Sequence, residues 1–223
     1  MIYLLLIFTV VVGVALAQML STCTRHPIFL LTFSSAYLLS TVFNHLFPEI
    51  YSKEPIGEKG LFILGGVFAQ ILLENITHGI EHGHLQHERR DRFPYGMFIG
   101  LCIHSLLEGA AILPGDHALL WAVIIHKIPV TIILYIFLSK ALQRKKKILI
   151  LMLVFALSTP LGSLLVNISF FTQYHDHILA LVSGIFIHIA TVILFESSDG
   201  HRLNLTKLLF FLLGVVFSYV FLP

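Results

Sequence analysis

Charged residues are scarce in this chain, at 12% of 223 residues, whereas hydrophobic residues make up 57% and the mean hydropathy is +0.91. A water-soluble domain of this composition would expose far more hydrocarbon than its polar residues could cover. The scarcity of charge therefore excludes a soluble globular protein. We expect an integral membrane protein.

Cysteine is also scarce, since the chain has only Cys23 and Cys102. Two thiols placed at the end of one apolar run and within another give no disulfide framework. There is no linker long enough to separate two domains and no basic stretch before the first apolar run. We therefore predict a single transmembrane domain over 1–223, whose first helix is retained rather than removed as a signal peptide.

Eight apolar runs are each long enough to cross about 30 Å of hydrocarbon as a helix. The predicted fold class is an all-α integral membrane protein with eight transmembrane helices. The predicted helices span about 1–21, 27–47, 61–79, 95–113, 117–139, 147–167, 178–196 and 205–222.

Lysine and arginine are unevenly distributed over the connections between these runs. If the N-terminus lies outside the cell, the outer connections carry only Lys53 and Lys59. By the positive-inside rule, we expect both termini outside and a cytosolic loop at 80–93. The basic run at 143–147 reads as the flank of a membrane helix, so no nucleic-acid partner is predicted. The inner connections carry Arg25, Arg89, Arg90, Arg92, Lys140, Arg144, Lys145, Lys146, Lys147, Arg202 and Lys207.

Ionisable residues lie near the centres of the fourth and fifth runs, where a charge is costly and usually functional. His104 and Glu108 are four residues apart and so share one helix face. His126 falls about halfway along the next helix, which a short turn makes an antiparallel neighbour. Imidazole and carboxylate are transition-metal ligands, so these three residues predict a metal site. The alternatives are a buried Glu108–Lys127 ion pair and, for a single histidine such as His188, a hydrogen bond to a facing Ser or Thr.

Five short motifs give the chain a resemblance to the ZIP family of zinc and iron transporters, most closely its bacterial branch. They are HLFPE at 45–49, HSLLEG at 104–109, HKIP at 126–129, TPLG at 159–162 and GIFIHIAT at 184–191. The resemblance implies eight helices in a 3+2+3 arrangement, with the middle pair enclosed by an inverted repeat. It also implies import of Zn2+ or a related divalent cation into the cytosol, and it puts His104, Glu108 and His126 in the primary metal site.

The chain departs from the family at the positions of a second, adjacent metal site. These positions hold Ser105, Lys127, Val130 and Thr159, of which none is a strong metal ligand and one is a cation. An ammonium group close to Glu108 would supply the positive charge that a second metal otherwise provides. We therefore predict a mononuclear site in which Lys127 replaces the second metal.

Further polar residues suggest a pathway for the ion. His45 and Glu49 are predicted to collect it at the outer entrance, while Gln70, Glu74 and His78 recur every four residues on the third helix and would line the exit. The inner loop carries His82, His84 and His87, which we expect to bind metal weakly. The alternative is a polar loop whose histidines are incidental. In an outer loop, Asp176 is predicted to be exposed to solvent.

The sequence thus predicts a transporter and not an enzyme, with a divalent cation as its substrate and the lipid bilayer as its environment. A membrane-embedded metal-dependent hydrolase is one alternative, although the chain lacks an H-E-x-x-H pair. A metal sensor that does not transport is another. The minimal length favours a bacterial inner membrane. The oligomeric state stays open, with a homodimer as one option.

Overall fold

The structure, a computed structural model, describes residues 2–19, 26–52, 56–77, 95–196 and 205–221. All regular elements in these ranges are helices, which confirms the all-α class. The second helix continues from α2 through one π-helical segment, Val42–Leu46, into α3. The α-helices are α1 (Ile2–Met19), α2 (His26–Thr41), α3 (Phe47–Tyr51), α4 (Ile56–Thr77), α5 (Tyr95–Ala110), α6 (His117–Ala141), α7 (Lys145–Leu165), α8 (Ser169–Gln173), α9 (His175–Glu196) and α10 (Leu205–Phe221).

Six helices of the described part are long and apolar enough to cross a membrane. They are Ile2–Met19, Pro27–Tyr51, Gly57–Ile76, His117–Ala141, Lys145–Leu165 and His175–Leu194. The two shorter apolar helices, α5 and α10, correspond to the fourth and eighth predicted runs. Large side chains such as Leu4, Leu61, Leu149 and Leu209 are exposed on the outer helices, as expected of surfaces that face lipid. The chain is a multi-pass membrane protein.

Helices α4 and α9 begin three or more residues earlier than the hydropathy of the sequence predicts, α4 at Ile56 rather than 61 and α9 at His175 rather than 178. Their polar first turns contact each other: the Lys59 Nζ lies 3.6 Å from the Asp176 Oδ2, and the His177 Nε2 lies 3.8 Å from a Glu58 carboxylate oxygen. The prediction that Asp176 lies in an outer loop is therefore wrong, because it belongs to the first turn of α9 and pairs with Lys59. Paired polar groups can extend a helix beyond its apolar stretch.

Helix α6 lies at the centre of the bundle and contacts α1, α2 and α7. Its side chains Leu119, Val123 and Ile132 are fully buried in the apolar core. The other main helix pairs are α4 with α9, α5 with α7, and α10 with α2. A central helix with this many neighbours can hold polar groups away from lipid.

Glycine lets two of these helix pairs approach closely. A Cβ at Gly109 of α5 would overlap the Thr159 carbonyl oxygen of α7, and one at Gly162 would overlap the Leu106 carbonyl oxygen. Helix α4 crosses α9 in the same way, because a Cβ at Gly66 would overlap the backbone of Leu181. Small residues at such crossings are typical of packed membrane helices. The close α5–α7 crossing brings Thr159 next to α5.

Candidate metal centre

Helices α5 and α6 are joined by a tight turn. We call the end of the bundle that contains this turn the turn side. Gly115 adopts a φ of 98° there, a conformation that glycine reaches without steric cost. The Asp116 side chain then caps α6 by accepting a hydrogen bond of 3.0 Å from the Leu119 N–H. The turn leads the chain from α5 into α6, and polar side chains of the two helices meet inside the bundle, as the 2.8 Å hydrogen bond from Lys127 to Ser105 shows.

Three buried side chains from these helices converge. The His104 Nε2 lies 3.2 Å from the Glu108 Oε1, and the rings of His104 and His126 are 6.3 Å apart between centroids. One ligand atom from each of the three residues lies within 4.8 Å of the others. None of the three side chains is more than 2% exposed. Two imidazoles and a carboxylate at these separations are a set that could hold one transition-metal ion.

His126 has a second contact that the sequence did not reveal. Its Nδ1 lies 3.3 Å from the Ser34 Oγ of α2, and its Nε2 is buried without a hydrogen-bond partner among the described residues. Ser34 is a short polar residue on an apolar helix, a pattern too common to single out by itself. Only the packing of α2 against α6 identifies it.

Lys127 lies beside this cluster, and its side chain is fully buried. Its ammonium group donates one hydrogen bond of 2.8 Å to the Ser105 Oγ and another to the Thr159 Oγ1. It also lies 4.3 Å from the centre of the Phe155 ring, a distance that allows a cation–π interaction. Lys127 is close enough to Glu108 for an electrostatic interaction, while Glu108 forms its ion pair with His104.

The four residues predicted at the second-site positions therefore divide into two groups. Ser105, Lys127 and Thr159 form one hydrogen-bonded cluster. Val130 is buried in the apolar core and offers no ligand atom. Three of the four second-site positions are therefore linked by hydrogen bonds that the Lys127 ammonium group donates.

A second group of possible ligands lies at the turn side. The His45 Nε2 is 3.1 Å from the Asp116 Oδ1, and Glu49 completes a partly exposed set. The π-helical segment contains His45 and changes the register of the helix at this point. The sequence indicated His45 and Glu49, but Asp116 was missed because it read only as a turn residue. Asp116 is the N-cap of α6, a helix with ionisable residues near its centre, and this position could have identified it as a candidate ligand.

Asp116 lies outside the membrane-spanning segments. Burial favours a higher pKa for this carboxyl group, but hydrogen bonds from His45 and from the Leu119 N–H outweigh burial, and the pKa is lowered from its usual value. A lowered pKa in the folded state means that Asp116 contributes stability at neutral pH. That contribution is lost as the pH falls below about 3.9 and through the folded-state pKa.

Two of the predicted exit residues lie on α4 within the described ranges. Gln70 is fully buried, and Glu74 accepts a hydrogen bond of 2.7 Å from the His188 Nε2 of α9. The sequence suggested a facing Ser or Thr for His188 and did not indicate Glu74 as its partner. About 27 Å of helix separates Glu74 from the start of α4, which puts this pair toward the opposite end from the turn side. His78 lies outside the described residues, as do His82, His84 and His87.

Comparison with known protein families gives a match. A family profile described as ZIP zinc transporter matches residues 92–221, which is more than half of the chain and includes both α5 and α6. No curated protein matches the chain. The matched region contains the three converging side chains and the Lys127 cluster.

Proposed function

This chain belongs to the ZIP zinc transporter family, and we propose that it carries a divalent metal cation, with Zn2+ as the first candidate, into the cytosol through one site formed by His104, Glu108 and His126. Members of the family are transporters, so the chain is not an enzyme and the hydrolase alternative is set aside. The observation that carries the proposal is the convergence of three fully buried ligand groups from α5 and α6. Burying ionisable groups in a membrane bundle is costly unless they act together.

The chemistry of the ligand set supports Zn2+. Two imidazole nitrogens and one carboxylate oxygen are a common zinc set, and three protein ligands leave a fourth coordination position open. An open position suits an ion that must arrive and leave. Fe2+, Mn2+ and Co2+ also accept these ligands, so metal selectivity is a quantity to measure.

The depth of the site supports a transport role. His126 lies nine residues into α6, which corresponds to about 14 Å of helix from the turn side. This is about half of a 30 Å hydrocarbon core, so the site would lie near the midplane. Transporters commonly bind their substrates at this depth, between their structural repeats.

The Lys127 cluster supports a mononuclear site. The ammonium group is held by two hydroxyl groups and an aromatic ring, at positions where the family resemblance puts second-metal ligands. A cation fixed by the protein chain supplies positive charge beside Glu108 and cannot leave with the substrate. We infer that Lys127 takes the place of the second metal.

The helix pairing supports the 3+2+3 arrangement. In an inverted repeat, α1, α2 and α4 would correspond to α7, α9 and α10, and α5 would correspond to α6. The α4–α9 pair is then equivalent to the α10–α2 pair, and the α5–α7 pair is equivalent to the α6–α1 pair. All four pairs cross closely at a glycine, at Gly66, Gly214, Gly162 and Gly13, respectively. Two symmetry-related sets of crossings are what an inverted repeat around a central pair would produce.

The proposed route runs from the turn side to the opposite end. The turn side would face outward, with both termini outside, and His45, Glu49 and Asp116 would receive the ion there. After the central site, Gln70 and Glu74 would line the exit, with His188 added from α9 and His78 as a further prediction. The distribution of lysine and arginine favours this orientation, and we place the protein in a bacterial inner membrane.

Metal uptake into proteoliposomes tests the proposal. The purified chain is expected to accumulate Zn2+ in the vesicle lumen, and a His104→Ala, Glu108→Ala double variant is expected to lose both uptake and site binding. Val130→Ala is a matched control, because it changes a buried residue near the site without removing a ligand atom. Binding without uptake in the parent protein would favour the sensor alternative, and undiminished binding in the double variant would refute the site.

A further inference from the structure

We propose that Ser34 is a positioning residue that fixes the tautomer of His126, so that its Nε2 presents a lone pair to the metal. This inference rests on the proposed function, because it takes His126 as a metal ligand. It concerns a residue on α2, outside the two helices that carry the three ligands and outside the region matched by the family profile.

The proton of the Ser34 hydroxyl group is already committed. The Ser34 Oγ donates a hydrogen bond of 2.9 Å to the Leu31 carbonyl oxygen in the same helix. A serine hydroxyl has a single proton, so its oxygen can only accept from any further partner. The His126 Nδ1 lies 3.3 Å from this oxygen. The arrangement therefore favours a proton on Nδ1, which donates to Ser34.

The state of the other ring nitrogen follows from this. A neutral imidazole carries one proton, so a proton on Nδ1 leaves a lone pair on Nε2. The His126 Nε2 is buried and has no hydrogen-bond partner among the residues that the structure describes. The opposite tautomer would bury an N–H group at Nε2 without an acceptor, which is unfavourable. Both nitrogens thus point to the same tautomer, the one that can bind a metal through Nε2.

The neighbouring serine provides a matched control. Ser35 follows Ser34 on α2 and is equally buried, at 1% exposure. Its Oγ has no hydrogen-bond partner within the described ranges. A Ser→Ala change therefore removes the same atom from the same helix at both positions, but only Ser34→Ala removes the acceptor for His126.

The experiment measures the tautomer and the zinc affinity separately. The tautomer is measured by nitrogen-15 NMR of the full-length protein with labelled histidine, in detergent and without metal. We expect a protonated Nδ1 and an unprotonated Nε2 for His126. The His126 signal is assigned by its loss in His126→Gln. Zinc titration is expected to give a dissociation constant about 10- to 100-fold higher for Ser34→Ala, in the range for removal of an orienting hydrogen bond. For Ser35→Ala we expect a change below about threefold, with the parent tautomer retained.

Three results would overturn the inference: a protonated Nε2 in the parent protein, a Ser34→Ala affinity within about threefold of the parent, or equal losses in the two serine variants. The parent spectrum, assigned with His126→Gln, does not depend on Ser34→Ala, so the inference can be judged even if that serine variant is unstable. Failure of the proposed function would look different. In that case the parent protein would not bind zinc at His104 and Glu108 at all, whichever tautomer His126 adopts.

Discussion

The Lys127 Nζ donates a hydrogen bond to the Ser105 Oγ, 2.8 Å away, and so joins α6 to α5 beside the proposed metal ligands. The same ammonium group contacts Thr159 of α7. Three helices therefore meet at one lysine. Because each partner is a hydroxyl group and not a carboxylate, the positive charge of the ammonium is left to act on the neighbouring site.

Lys127→Met should strengthen zinc binding and slow zinc release. The change removes a positive charge that repels an arriving dication, while it keeps a side chain of similar length in the core. We expect the dissociation constant to fall by about tenfold or more and the turnover of uptake to fall with it. Zinc titration in detergent and uptake into proteoliposomes measure the two quantities.

Lys140→Met is the control for that variant, because Lys140 is an exposed lysine near the end of the same helix. Its affinity and turnover should match those of the parent. Unchanged affinity in Lys127→Met would show that the ammonium exerts no effect on the metal, and the replacement of a second metal by Lys127 would then be untenable.

Asp116→Asn should weaken the capture of zinc at the turn side. Asparagine still caps α6, since its side-chain oxygen can accept from the Leu119 N–H, but the negative charge beside His45 is lost. We expect the KM of uptake to rise about three- to tenfold at low ionic strength. The affinity of the central site, measured in detergent, should not change. Because the pKa of Asp116 is lowered, the difference in KM should persist as the pH is reduced to 5.

Glu58→Gln serves as the comparison for Asp116, since Glu58 is an exposed carboxylate in the first turn of α4. It pairs with His177 and belongs to neither candidate metal group. An equal rise in KM in both variants would indicate a general surface-charge effect and remove the entrance role from Asp116.

Gly66→Ala should destabilise the protein, whereas Gly65→Ala should not. A Cβ at Gly66 would overlap the Leu181 backbone of α9, but a Cβ at Gly65 meets nothing within 4 Å. Overpacking of this kind costs about 1–3 kcal/mol, while alanine in an open helical position gains up to about 1 kcal/mol over glycine. Thermal unfolding in detergent measures both. A lower melting temperature for Gly65→Ala than for Gly66→Ala would contradict the close α4–α9 crossing.

Replacing His82, His84 and His87 with Ser should remove weak zinc binding and leave the central site intact. The histidine tract is separate in sequence from the three ligands, and we predict that it lies in the cytosolic loop. Calorimetric titration should lose only its weaker phase. Loss of all zinc binding would show that the main site has been assigned to the wrong residues.

Much of the fold could be predicted from the sequence because one physical signal dominates it. A long apolar run has few options other than a membrane helix, and the i, i+4 spacing of His104 and Glu108 is sufficient to place both on one face. The short turn between α5 and α6 further predicted that His126 lies close to His104 and Glu108. The structure has all three in contact range.

Other features depended on which helices pack together, and hydropathy carries no information on that. Ser34 contacts His126 only because α2 packs on α6, and Glu74 meets His188 only because α4 packs on α9. The early start of α4 has the same origin, since the buried Lys59 is balanced by Asp176 from another helix. Partners that are far apart in sequence are the part of such a site that a single sequence leaves undetermined.

The stoichiometry of bound zinc distinguishes a mononuclear site beside Lys127 from a two-metal site. It is measured on purified protein in the background that lacks His82, His84 and His87, so that only the membrane site is counted. We expect about one zinc ion per parent chain, and about two after Ser105→Asn, Lys127→Glu and Val130→Glu restore ligands at the second-site positions. Two ions per chain in the parent protein would contradict a mononuclear site, because Lys127 would then not replace a metal, and no bound ion would refute the site itself.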